Sequence, residues 1–163
     1  MSVSLSEAIL PHVDRGELFR RMDEFYTSVD ESVAKHRPVC RNRGVCCRFE
    51  SFGHRLYVTT AELAYFVRGR RDDWRAPGAE GDVGACPYQI GGLCMARQHR
   101  PLGCRIFFCD PDSEVWQPEA YERHLARLKR IGADIGMDYR YVEWLSALRE
   151  LDAGLGATDD AAR

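Results

Sequence analysis

Seven cysteines carry most of the chemistry this chain can offer: Cys40, Cys46, Cys47, Cys86, Cys94, Cys104 and Cys109. All lie within positions 40–109, and the sequence on either side has none. Thiolates bind zinc tetrahedrally or hold iron–sulfur clusters, and clustered thiols also do redox chemistry. An odd count argues against a complete disulfide framework. The spacing is Cys40-x5-Cys46-Cys47 and then Cys86-x7-Cys94-x9-Cys104-x4-Cys109. It contains no C-x2-C, the usual knuckle of a structural zinc site. Neighbouring side chains diverge, so Cys46 and Cys47 are expected to reach different irons of a cluster, or one to ligate while the other packs. Cys86-Pro87 is also the dipeptide found beside ferredoxin-type clusters. An iron–sulfur centre is therefore favoured, with zinc close behind.

Charge points the same way. Five arginines and one acid, Glu50, lie from Arg37 to Arg55, and Arg97, Arg100 and Arg105 flank the later cysteines. Cations lower a thiol's pKa and offset the negative charge of a four-thiolate centre. Arg100 and Arg105 are the expected cationic neighbours of that centre, and Pro101 would stiffen the approach to Cys104. The plainer reading is a solvated basic face. The strongest candidate ligands are Cys47, Cys86, Cys94 and Cys104. Cys109, after Ile106-Phe107-Phe108, is the best candidate for a thiol that only packs. Among the histidines, His99 is the first candidate for an extra ligand, with His36 and His54 behind it. His12 and His124 read as surface or capping residues.

Cys40-x5-Cys46-Cys47, Cys86-Pro-Tyr, Arg100-Pro-Leu-Gly-Cys104-Arg and Cys109 together resemble the bacterial YkgJ-type cysteine-cluster family over about residues 38–110. That family is described as a zinc- or iron-chelating domain and is named for a C-x2-C-x2-CC signature. The region is also similar to the cysteine region of flagellin lysine methylases, which are thought to carry an iron–sulfur cluster. The resemblance implies eight thiols. Arg43 stands where the second cysteine of the signature would fall, so a two-site arrangement would be one ligand short.

Helices at both ends must position these loops. Leu5, Ile9 and Val13 have helical spacing, which Pro11 is expected to interrupt. Asp14-Arg-Gly-Glu17 reads as a capping box opening a helix with a Leu18, Met22, Phe25, Val29 and Val33 stripe. Pro38 stops it just before Cys40. His54–Thr59 reads as a strand, and Thr59-Thr-Ala-Glu62 as a second capping box for a helix closed by Gly69. Residues 69–85 read as an exposed polar loop. Gly91-Gly92 predicts a hairpin turn that returns Cys94 towards Cys86. Pro118 suits a helix start, with a Tyr121, Leu125, Leu128, Ile131 and Ile135 stripe that Gly136 ends. Tyr141, Leu145, Leu148 and Leu151 form a further helical stripe before Gly154.

The expected fold is mainly α, with a loop-rich, cysteine-rich centre and a short β-hairpin. A single metal-binding domain spans residues 1–152, followed by a flexible tail over 153–163. Hydrophobic residues are 45% of the 163 and charged residues 29%, the balance of a globular chain. A net charge of −2 argues against a nucleic-acid partner. No apolar run is long enough to span a membrane. The first fourteen residues lack the basic start and apolar stretch of an export signal, so the expected location is the cytoplasm. The reading is a metal-binding protein whose partner is a metal ion or cluster. A cluster-dependent enzyme or enzyme subunit acting in methyl transfer or redox chemistry with a protein partner, and a zinc thiol-redox switch, are the alternatives. No nucleophile elbow, H-E-x-x-H or dinucleotide fingerprint is present, so no enzyme activity is assigned.

Overall fold

A computed structural model describes residues 3–41, 43–70 and 84–161, with side chains as far as residue 154. Most of the expected polar loop, positions 71–83, lies outside the described residues. Among the described residues the architecture is mainly helical, as the sequence patterning predicts, with two small antiparallel ribbons where one hairpin is expected.

The chain begins with a capping box that the sequence reading passed over. Ser4 Oγ accepts from the Glu7 amide at 3.2 Å and Glu7 Oε2 accepts from the Ser4 amide at 2.7 Å, opening α1 (Leu5–Val13). Pro11 sits inside this helix rather than breaking it. Asp14 is not the expected N-cap. Its backbone (φ −92°, ψ 0°) closes α1, and an N-cap needs extended geometry. The second helix, α2 (Gly16–Ala34), follows Arg15 with no side-chain cap. A cap is worth about 1 kcal/mol, whereas burying each large apolar side chain contributes roughly 1.5–3 kcal/mol. The buried stripe of Leu18, Met22, Phe25, Val29 and Val33 therefore outweighs the missing cap.

The second capping box forms as read. Strand β1 (Tyr57–Thr59) runs directly into α3 (Thr60–Gly69), and Glu62 Oε2 accepts from the Thr59 amide at 2.7 Å. Val58 and Leu63 are fully buried beside it. The other oxygen of Glu62 accepts from the Leu102 amide at 2.7 Å and the Tyr26 hydroxyl at 3.4 Å. One buried carboxylate thus ties α3 to α2 and to α4 (Leu102–Ile106). Burial raises its pKa, but the four donors facing it stabilise the charged form.

The expected hairpin is present as β2 (Gln89–Ile90) and β3 (Leu93–Cys94), with positive φ at Gly91 and Gly92. Helix α5 (Gln117–Asp134) follows Trp116 and ends before Gly136 at φ 70°. The last stripe divides differently from expectation. Tyr141–Glu143 is strand β4, antiparallel to β1 with Val58 opposite Val142, and α6 (Trp144–Ala161) starts only after it. The Trp144 amide donates to Leu56 O, and Glu143 accepts from the Leu145 and Ser146 amides, fixing that start. Gly154 does not end α6. A Cβ there would collide with Ser6 Oγ, so this glycine lets α1 and α6 approach closely.

Helix α3 lies centrally, against α1, α2 and α5, while α6 covers α1 and α4 bridges α2 and α5. Among the described residues no helix is long and apolar enough to cross a membrane. Between the helices, the stretches 44–50, 84–100 and 107–116 carry Cys46, Cys47, Cys86, Cys94 and Cys109, while Cys104 sits in α4 and Cys40 follows α2.

Candidate metal centre

Gly44, at φ 66°, lets the chain enter a tight 3-10 turn over Val45–Cys47. The turn is laid directly against the Cys86 segment. The Cys86 amide donates to Cys47 O at 2.7 Å, the Glu50 amide to Gly84 O at 3.1 Å, and Gln89 Nε2 to Gly44 O at 2.8 Å. The hairpin register pairs Gln89 with Cys94, and the Met95 amide donates to Tyr88 O at 2.8 Å. Cys94 therefore comes back beside Cys86. Cys104 approaches from α4, held in place through the Leu102–Glu62 bond at the start of that helix.

Five thiols influence one another electrostatically: Cys46, Cys47, Cys86, Cys94 and Cys104. Cys46 and Cys47 form a hydrogen-bonded pair, which corrects the expectation that their side chains diverge. The 3-10 turn places both sulfurs on one side. Within the pair, Cys46 gives up its proton first. Its pKa is pulled down to about 6, chiefly by the Cys47 hydrogen bond and further by its own amide, His54 and Arg100. The same bond pushes Cys47 up, with burial and the charges of Cys46, Cys86 and Cys104 adding to it. Burial raises Cys104, and Cys86, Cys94 and Cys46 raise it further while Arg100 opposes them. Burial also raises Cys86, against the Tyr88 amide and the Trp144 indole. Thiols that raise one another in this way lose protons readily only when a cation joins them.

Two buried donors face this group without ordinary partners. The Trp144 indole Nε1 is buried and makes no hydrogen bond of ordinary length, and it favours the thiolate of Cys86. Arg100 Nε is buried and likewise unpartnered, and its guanidinium stabilises the thiolates of Cys104 and Cys46. Burial holds the Arg100 pKa below its usual range. Leaving a buried donor unsatisfied costs on the order of 1–3 kcal/mol, so such donors call for an explanation. A thiolate-bound centre fits them, because both would then face anionic sulfur.

The seven cysteines divide clearly. Cys47, Cys86, Cys94 and Cys104, the strongest candidates in the sequence, are the four that are half-buried. Cys46 is exposed but joins them through Cys47. Cys40 and Cys109 are exposed, so Cys109 is not the packing thiol its apolar neighbours suggested. The apolar run is split: Ile106 is fully buried at the end of α4, whereas Phe107 turns outward and takes the next residues towards the surface.

Of the two expected cationic neighbours, Arg100 is the one whose charge bears on the thiols. Arg105 turns away, towards α2, where Asp30 and two backbone carbonyls engage it. His99 also lies on that side, packed against Tyr65 with its pKa lowered by burial, Arg70 and Arg105. His36 stacks on Trp116 at 4.3 Å. His54 is the histidine beside the thiols, with Nε2 3.2 Å from Cys46 O. His124 is buried on α5 rather than at the surface. The role of Trp144 escaped the sequence reading, because an indole within an apolar stripe looks like any other packing aromatic.

Among the described residues, no three His, Cys, Asp or Glu side chains are gathered tightly enough to hold a metal ion. The five thiols adjoin without converging. Comparison of the chain with protein-family models, curated proteins and solved structures gives no match.

Proposed function

We propose that this chain is a metal-binding protein whose centre is held by thiolates from Cys46, Cys47, Cys86, Cys94 and Cys104, iron–sulfur in preference to zinc. The observation that carries the reading is a pair of buried donors, Arg100 Nε without a partner and Trp144 Nε1 against Cys86, set beside thiols that raise one another's pKa. Donors of this kind stabilise the thiolates of a bound centre and tune its properties. The absence of any C-x2-C knuckle also supports the iron–sulfur choice. The hydrogen-bonded pairing of Cys46 with Cys47 favours a second reading, a four-thiolate zinc site, because both sulfurs are presented together.

A cluster held here would supply one-electron chemistry or a covalent tie, as thiolate-bound centres do. The chain's own residues define the rest. Cys47 and Cys86 come from segments already joined by a backbone hydrogen bond, so drawing their sulfurs together needs side-chain movement more than backbone movement. Arg100 offsets the negative charge, and Trp144 orients Cys86. Because the ligands come from three separate stretches, metal binding would add to folding stability.

The test is anaerobic purification without a metal-binding tag, followed by measurement of iron, acid-labile sulfide and zinc per chain. Iron and sulfide in near-equal amounts are expected. About one zinc per chain without sulfide would move the assignment to the zinc site. Folded protein carrying neither metal overturns the proposal.

A further inference from the structure

Above the thiols the surface opens into a cavity of about 700 Å³, within the range of small-molecule sites. Its walls are aromatic: Phe49, Phe52, Tyr57, Phe107, Tyr121 and Tyr141. Their arrangement comes from the topology. The β1–β4 ribbon stacks Tyr57 on Tyr141 with ring centres 5.3 Å apart, and Phe107, past the end of α4, meets Tyr121 of α5 at 5.2 Å. Among the described residues, five aromatic side chains are conspicuously exposed, and four of them (Phe52, Tyr57, Phe107 and Tyr141) line this one cavity. The fifth, Tyr139, does not. Exposed apolar groups scattered singly need no explanation, but a ring of them around a concave space does.

We infer that this cavity binds a flat aromatic small molecule bearing a hydrogen-bond-accepting or anionic edge. The stacked walls offer ring faces and edges suited to a planar occupant. The Tyr121 and Tyr141 hydroxyls lie 2.6 Å apart, and whichever donates, the other keeps a proton to offer outward. Arg55 and His54 in the lining add donors, and Glu114, also in the lining, disfavours a second negative group. Cys46, Cys104 and Cys109 also line it, so an occupant would lie beside two thiols of the metal centre proposed above. Binding rests on the walls, however, and is independent of that centre.

The probe is anilinonaphthalene sulfonate, a planar aromatic anion, titrated into metal-free and metal-loaded protein. Saturable binding of about one molecule per chain, with near-ultraviolet circular dichroism retained, is expected in both forms. Phe107→Ala combined with Tyr141→Ala should weaken it roughly tenfold or more, and Tyr139→Ala by less than about twofold. Should the double variant fail to fold, Phe52→Ala, in an exposed turn, should weaken binding several-fold. Non-saturable binding, or equal affinity in wall variants and Tyr139→Ala, overturns the inference. So does concentration-dependent dimerisation in sedimentation experiments that Tyr141→Ala abolishes, because the ring would then be an interface between copies. Failure of the metal reading would leave probe binding to the metal-free chain intact, so the two outcomes are separable.

Discussion

Arg100 and Arg105 lie five residues apart in sequence and end in opposite circumstances. Arg105, 5% exposed, donates to Asp30 at 2.7 Å, Gln98 O at 2.7 Å and Arg100 O at 2.9 Å, and its guanidinium lies 4.0 Å above the Tyr26 ring. Each nitrogen of that guanidinium has a partner. Arg100 borders the same pocket as Arg105 but has a buried Nε with no partner, and its charge bears on Cys104 and Cys46. The first network is closed and explains itself as structure. The second is open, and what would close it is negative charge on the sulfurs. Arginine near cysteine in sequence is therefore a poor guide, because the partners that the side chain finds in the fold decide its role.

The largest effect should come from the open side. Cys104→Ser or Cys86→Ser is expected to lose nearly all bound metal and to lower the melting temperature of the metal-loaded protein, whereas Cys40→Ser and Cys109→Ser keep the metal of the unmodified chain. Metal analysis of the four variants checks this, and equal retention in all of them would erase the distinction. On the closed side, Arg105→Ala should destabilise the fold by about 2–3 kcal/mol, because it leaves carbonyl groups and part of Asp30 uncompensated. Denaturant unfolding gives that value, and the folded fraction should still bind metal at full stoichiometry.

A smaller effect of opposite sign is expected for Arg100→Met. In metal-free protein it should be neutral or stabilising by up to about 1 kcal/mol, since an unpartnered buried donor is replaced by an apolar chain. In metal-loaded protein the same substitution should weaken retention of the metal against a chelator. A loss as large as that of Arg105→Ala would show that Arg100 too belongs to a closed network.

The smallest effect concerns pH. Burial, with Arg127 and Arg123 nearby, lowers the pKa of His124 from its ordinary 6.5. As pH falls through this range the unfolded chain takes up the proton first. The contribution of neutral His124 is complete above the ordinary value and is lost as pH falls towards the folded one. Unfolding midpoints at about pH 7.5 and about pH 5.5 should therefore differ less in His124→Asn than in the unmodified chain. Part of the dependence should persist, because His12 and His99 are lowered as well.

Local signals in this sequence were readable where they act locally. Thr59-x-x-Glu62 announced its helix, Gly91-Gly92 its turn, and the spacing from Leu18 to Val33 its buried stripe. Long-range demands overrode local signals elsewhere. Gly154 looks like a stop until Ser6 is seen across from it, and Tyr141–Glu143 has helical spacing but pairs with Tyr57–Thr59. The four half-buried thiols are the strongest candidates of the sequence reading. The directions of Arg105 and His99, the indole facing Cys86 and the aromatic ring around the cavity depend on contacts made across the fold, and no local pattern encodes them.

The most direct test of the metal centre is a map of thiol reactivity, obtained by brief alkylation of metal-loaded and chelator-treated protein followed by peptide mass analysis. Cys40 and Cys109 should react equally in both samples, while Cys46, Cys47, Cys86, Cys94 and Cys104 should be protected until the metal is removed. Protection of Cys40 and Cys109 instead, or the same pattern with and without metal, would contradict a centre built on these thiols.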